Sequence, residues 1–236
     1  MKLPKISQPL FQLLIPSQKR EVLCRPFVVK EEKILLTAQE GGNDKDIILA
    51  LKQILNICIQ DDTFDVNTLA LFDLEYMFLK LRARSVNNVI DISYRDSEDE
   101  KIYEFKINLD EVEMLKEKDF DNKIMVSDTV GIVMKFPSIT VLDDLNSELS
   151  PSAIVDYLIR KCIVQIFDEE AVYPINECTD EEITEFIESL DVNSFNKVRD
   201  FFDNIPQMFY KIEYTNGMGN KREIELTTLS DFFTWG

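Results

Sequence analysis

The residues that offer this chain any chemistry are its carboxylates, because most other catalytic groups are missing. The 236 residues include 44 acidic side chains and no histidine. Adjacent acids recur at Asp143-Asp144, Asp168-Glu169-Glu170 and Asp180-Glu181-Glu182. Two facing carboxylates can run acid–base or glycosidic chemistry if one is held protonated and the other ionised. Here the acids fall at expected helix starts and loops, where they satisfy N-terminal amides and solvate turns, so the structural reading is preferred. Asp61-Asp62-Thr63-Phe64-Asp65 and Asp96–Glu100 are acidic like calcium loops, but lack the EF-hand spacing and its turn glycine. Without histidine there is no Ser-His-Asp or Cys-His device. Six glycines include no P-loop and no G-x-G-x-x-G. Cys24, Cys58, Cys162 and Cys178 are scattered in or beside apolar runs with no C-x-x-C, which points to free buried thiols and no zinc. The residues thus nominate no catalytic group, no cofactor site and no metal site.

The elements that carry these residues are legible from periodicity. Asp65–Ser85 has no glycine or proline and is apolar around most of its circumference, so a buried central helix of about five turns is expected. Asp73 and Glu75 precede Lys80, Arg82 and Arg84 along it, the order that suits the helix dipole. Upstream, QPLFQLLIPS and EVLCRPFVV read as a hairpin broken at Ser17–Arg20. Helices follow at Lys30–Gln39, stopped by Gly41-Gly42, and at Lys45–Ile59, capped by Asn43 or Asp44. From Val86 the period becomes two. Ile90, Ile92 and Tyr94 oppose Tyr103, Phe105, Ile107 and Leu109 across the polar tip Asp96–Glu100. Lys123–Val126 and Gly131–Phe136 make another strand pair, and a sheet of three or four strands is expected here.

Ser150-Pro151 opens a helix to about Phe167, and the capping box Thr179-Asp180-Glu181-Glu182 opens one to about Leu190. Ser194 caps a third, which ends before Pro206. Phe209–Tyr214 and Glu223–Leu226 form a last hairpin around NGMGNK. LSDFFTWG closes the chain with Phe232, Phe233 and Trp235, either as core, the preferred reading, or as an exposed aromatic anchor. The fold class is α+β: an N-terminal helical subdomain with extended strands, a small antiparallel sheet, then C-terminal helices and a second hairpin. The expected divisions are 1–88, 89–145 and 146–236.

The charge narrows the partners. With 26 basic against 44 acidic side chains the formal charge is −18, which disfavours nucleic acid and anionic membrane surfaces; it fits a partner with basic patches or, the preferred reading, simply a solvated acidic surface that keeps the protein soluble at high copy number. The N-terminus shows neither a signal peptide nor a membrane span.

LPKISQPLFQLLIPS, the segment Arg25-Pro26-Phe27-Val28-Val29-Lys30-Glu31-Glu32-Lys33-Ile34-Leu35-Leu36, and FDLEYMFLKLRARSV occur in an order and spacing that resembles the baseplate hub subunit family of T-even-type, contractile-tailed bacteriophages. KINLDEV, NKIMVSDTVGIVMKFPS and LSDFF extend the similarity. Some relatives carry cysteine pairs at their hairpin tips, like small zinc ribbons; here DSEDE and NGMGNK have none. The resemblance implies a non-enzymatic virion-assembly protein without small-molecule substrate. Its partners would be other tail and baseplate hub proteins and the tape-measure protein, met in the host cytoplasm during assembly or in the virion tail. It marks Arg25, Pro26, Phe27, Lys30, Glu31, Glu32, Asp73, Glu75, Tyr76, Lys80, Arg82 and Ser85 as structural signature positions, with the charged ones expected to pair. Phe232, Phe233 and Trp235 are the candidates for contact. Two alternatives remain: a chaperone of the tape measure that leaves before the particle is finished, and an unrelated acidic adaptor or inhibitor of a basic protein.

Overall fold

Alternating apolar residues and turn-forming breaks produce short antiparallel strands, and runs without glycine or proline produce the helices between them. The computed structural model describes residues 6–42, 44–115, 121–143 and 150–232. Along the chain run β1 (Phe11–Ile15), β2 (Arg20–Cys24), α1 (Val29–Gly41), α2 (Asp44–Cys58), α3 (Leu71–Ser85), β3 (Val89–Arg95), β4 (Ile102–Asn108) and β5 (Glu113–Leu115). They are followed by β6 (Lys123–Met125), β7 (Gly131–Met134), α4 (Ile139–Asp143), α5 (Pro151–Cys162), β8 (Ile163–Phe167) and β9 (Val172–Pro174). The last elements are α6 (Asp180–Ser189), α7 (Val192–Asp203), β10 (Gln207–Thr215), β11 (Lys221–Leu226) and α8 (Leu229–Phe232). The fold is α+β, with every sheet antiparallel.

The chain divides into two units: Met1–Leu115 with Gln207–Gly236, and Lys116–Pro206. In the first, α3 is the centre. Phe72, Leu74, Met77, Phe78, Leu79, Leu81 and Ala83 are all buried, so apolar contact surrounds the helix on nearly every side. The β1–β2 hairpin, α2, β10 and α8 pack on it. Phe27 stacks on Phe78 with ring centroids 6.3 Å apart. Gly42, at φ 62, takes the left-handed residue that ends α1, a conformation open to glycine at little cost. The second unit is built on a four-stranded sheet in the order β6-β7-β8-β9. Ile132, Met134, Ile159, Ile163, Ile183, Val198 and Phe201 form its core.

Four expectations need correction. The central helix starts at Leu71, not Asp65; Val66–Thr68 is a separate 3₁₀ turn capped by the Asp65 carboxylate, which accepts from the Asn67 amide. The restart follows from Asp73, whose carboxylate accepts from the Ala70 amide and thereby fixes a new N-terminus. The helix from Pro151 ends at Cys162, and Ile163–Phe167 is strand β8: the run Ile163-Val164 is β-branched and continues a sheet. Strands β5 and β9 were not anticipated. Ser194 does not cap α7; Asp191 does, accepting from the Ser194 amide at 2.9 Å, while the Ser194 hydroxyl donates to the Val126 carbonyl at 2.6 Å. The Asn43 cap, the side chains of Asp44 and Asp143, and Asp144, Phe233 and Trp235 lie outside the described residues. Phe232 is buried, as the core reading of the C-terminal segment requires.

Candidate interaction surfaces

The signature positions gather where β2 runs into α1 and along α3. Glu31 stands at the third position of α1, almost fully buried. Its carboxylate accepts from the Val28 amide at 2.9 Å and from the Arg25 guanidinium at 3.0 Å. Burial alone would raise the Glu31 carboxyl, but the Arg25 and Val28 hydrogen bonds overcome it and hold it below the usual value. Pro26 and Phe27 are buried beside this pair, and the Phe27 amide donates to the Ser85 hydroxyl at 3.0 Å. Lys30 and Glu32 project to solvent.

On α3 the charged positions are not paired with one another. Asp73 is fully buried and accepts from the amide and hydroxyl of Ser17 at 2.8 and 2.6 Å, which ties the β1–β2 turn to the helix; burial nevertheless pushes its carboxyl up. Lys80 lies beside the Tyr76 ring and donates to the carbonyls of Leu109, Asp110 and Val112, all within 2.9 Å, so it fastens the segment after β4. Arg82 donates to the Asn87 carbonyl. Glu75 is mostly buried, and burial, with the carboxylate of Asp231 nearby, pushes its carboxyl up to about 7. Asp73, Lys80 and Arg82 thus bind backbone and hold elements of the chain together.

The tips of the two long hairpins in the first unit interlock. Asp96 is fully buried. Its Oδ1 accepts from the amides of Glu98 (2.7 Å) and Asp99 (3.3 Å), and its Oδ2 accepts from the Tyr214 hydroxyl and lies 3.3 Å from Arg222. Asn216 plays a similar part in the shorter turn of the other tip, its Oδ1 accepting from the amides of Met218 and Asn220. Gly219 occupies φ 86 there. Across the junction Glu98 accepts from Asn216, Asn220 and Arg222, and Asp99 from the Gly217 amide; within its own hairpin Asp99 also accepts from the Tyr103 hydroxyl. Tyr214 packs among Tyr94, Tyr103 and Phe105. A carboxylate with this many donors stays ionised far into acid: the Tyr214 hydroxyl, the two amides and Arg222 hold Asp96 at about 2. Its contribution to stability is therefore present above the ordinary aspartate value and is lost only as pH falls towards 2. Replacing Asp96 by Ala is expected to release the tips, exposing the amides of Glu98, Asp99, Met218 and Asn220 to fast hydrogen exchange at neutral pH. Unchanged protection would mean that aromatic packing alone joins the hairpins.

The acidic triplets close turns. Asp168 accepts from the amides of Ala171 and Glu170 at 2.8 and 2.9 Å and from the Tyr173 hydroxyl, which bends β8 into β9 and holds its carboxyl below the usual value. Glu182 accepts from the Thr179 amide at 2.8 Å, completing the capping box of α6. Among the described residues no three Asp, Glu or Cys side chains come together as a metal site would need.

The second unit also carries a groove. Between β9 and α6 lies a space of about 490 Å³, floored by Ile166, Ile183 and Phe186 and walled by Val172, Tyr173 and Cys178. Its rim carries Asp168, Glu177 and Glu182. No periodicity pointed to it, because its walls come from a strand missed in sequence and a helix beyond it.

With this scaffold of locked hairpins and buried structural charges in view, the comparisons place it. The family described as T4 bacteriophage base plate protein matches residues 8–234, nearly the whole chain, and the chain belongs to that family. No curated protein and no solved structure matches it. Membership makes this a phage tail baseplate protein that meets other tail proteins, in a structural family that is generally non-enzymatic. Among the described residues no helix is long and apolar enough to cross a membrane.

Proposed function

We propose that the chain is a hub subunit or hub-assembly factor of the tail baseplate, and that it works through protein–protein contacts. The observation that carries this reading is the disposition of its buried polar groups. Asp73, Lys80, Asp96 and Glu31 all spend their hydrogen bonds on fixing elements of the chain itself. What remains for partners is shape and a surface carrying most of a −18 charge, which suits basic neighbours. The signature positions are, in this reading, the fastenings of a rigid scaffold. Transient service as a tape-measure chaperone is the second reading, favoured by the same charge, since an acidic surface can shield a partner until assembly.

Mass spectrometry of purified virions, combined with co-purification from infected cells, tests the proposal. A hub subunit is found in the particle. An assembly factor is absent from it but co-purifies with baseplate proteins before tails are complete. A chain that neither enters virions nor accompanies any tail protein is not part of this apparatus.

A further inference from the structure

The segment that builds the groove between β9 and α6 has an unusual charge distribution. Between Lys161 and Lys197 the chain carries ten carboxylates and no lysine or arginine. Three of them, Asp168, Glu177 and Glu182, line an apolar recess. The groove's floor is aliphatic and aromatic, and its mouth is formed by Val172 at 56% and Tyr173 at 45% exposure, on the edge strand of the sheet. Apolar surface left open at such an edge favours a partner. Asp168 and Glu182 are held below the usual carboxylate range by the amides they cap, so these two rim carboxylates stay ionised near neutral pH.

We propose that this groove docks a cationic amphipathic segment of another baseplate protein. Large apolar side chains of that segment fill the space between β9 and α6, and its lysines or arginines face Asp168, Glu177 and Glu182. A second copy of this chain is a poor occupant, because it would bring its own acidic rim against this one. The inference rests on the reading of the chain as a contact protein of the baseplate. The two fail separately: a groove that binds nothing leaves a baseplate role standing on other surfaces.

The chain supplies its own reporter. Cys24, Cys58 and Cys162 are buried, whereas Cys178 is partly exposed in the groove wall. The experiment follows alkylation of Cys178 by iodoacetamide in the full chain with three synthetic peptides of roughly 14 residues, enough for a helix on binding. One alternates lysines with leucine and phenylalanine at helical spacing, one has the lysines but no large apolar residue, and one has the apolar residues with glutamates. Only the first is expected to protect Cys178, slowing alkylation about tenfold, with affinity falling about tenfold between roughly 50 and 500 mM salt. Val172→Lys, at an exposed edge position, should abolish protection. Glu177→Gln, which alters only an exposed rim charge, should weaken binding and flatten the salt dependence.

Equal protection by the lysine peptide without apolar residues would overturn the proposal, because attraction to a polyanion would then suffice. So would protection by the glutamate peptide, or protection that survives Val172→Lys. Self-association of the chain without peptide, lost in Val172→Lys, would assign the groove to a second copy and refute the assignment to a cationic partner.

Discussion

Phe78→Ala is expected to destabilise the protein by about 3–5 kcal/mol, measured by urea unfolding at neutral pH. The ring is completely buried on α3, stacked on Phe27 and surrounded by a helix whose Leu74, Met77, Leu79 and Leu81 are also inaccessible. Truncation removes the transfer free energy of a phenyl group and leaves a cavity where α3 cannot move without disturbing its neighbours. Because the β1–β2 hairpin and α2 both pack on this helix, collapse around the cavity is hindered, which puts the cost in the upper part of the range for such changes. A loss below about half a kcal/mol is typical of surface positions and would show that α3 is not the core it is taken to be.

Glu75→Gln is expected to stabilise the protein, but only above mildly acidic pH. Burial and the neighbouring Asp231 raise the Glu75 carboxyl from 4.5 to about 7 in the folded chain. A carboxyl raised by folding binds its proton more tightly in the native state. Its ionisation penalty is therefore absent below about 4.5, grows as pH rises and is complete above about 7. At about 1.4 kcal/mol for each pH unit the interval corresponds to roughly 3 kcal/mol, an upper figure because the site retains some solvent access. Glutamine removes the charge while keeping the shape. The difference in unfolding free energy between Glu75→Gln and the natural chain should be near zero at pH 4 and approach its full value by pH 8. A difference that does not vary with pH would show that Glu75 ionises as freely in the folded chain as in the unfolded one. The carboxyls held low, such as Asp96, act oppositely and destabilise only in strong acid, so the comparison isolates Glu75.

Local chemistry was legible in the sequence wherever a few adjacent residues decide the outcome. Thr179 and Glu182 announce a helix start, Gly42 a helix end, and the alternation from Ile90 to Leu109 a hairpin. Where two local rules compete, sequence reading chose wrongly. The apolar period of α5 runs without a break into Ile163, and only the sheet partners β7 and β9 decide that the chain extends there. Asp73 looked like one half of an ion pair on α3, yet its partners lie 56 residues upstream, at Ser17. Asp96 and Tyr214 are 118 residues apart, and nothing local to either tip tells of the other. The groove is likewise a product of tertiary arrangement; only its acidic composition was visible. The resemblance to a phage baseplate family rested mainly on the N-terminal segments up to Leu36 and on the α3 segment; within them Glu31 and Asp73 are buried and hydrogen-bonded to the chain itself.

A scaffold whose buried charged groups hold its own elements together, and which presents an acidic surface and an apolar groove, suits a component whose work is holding other proteins. The measurement that tests this most directly is electron microscopy of tails assembled in cells infected by phage from which this gene has been deleted, with the gene restored in trans as control. The account predicts tails without functional baseplates, rescued by the restored gene. Complete, infective tails with ordinary baseplates in its absence would contradict it.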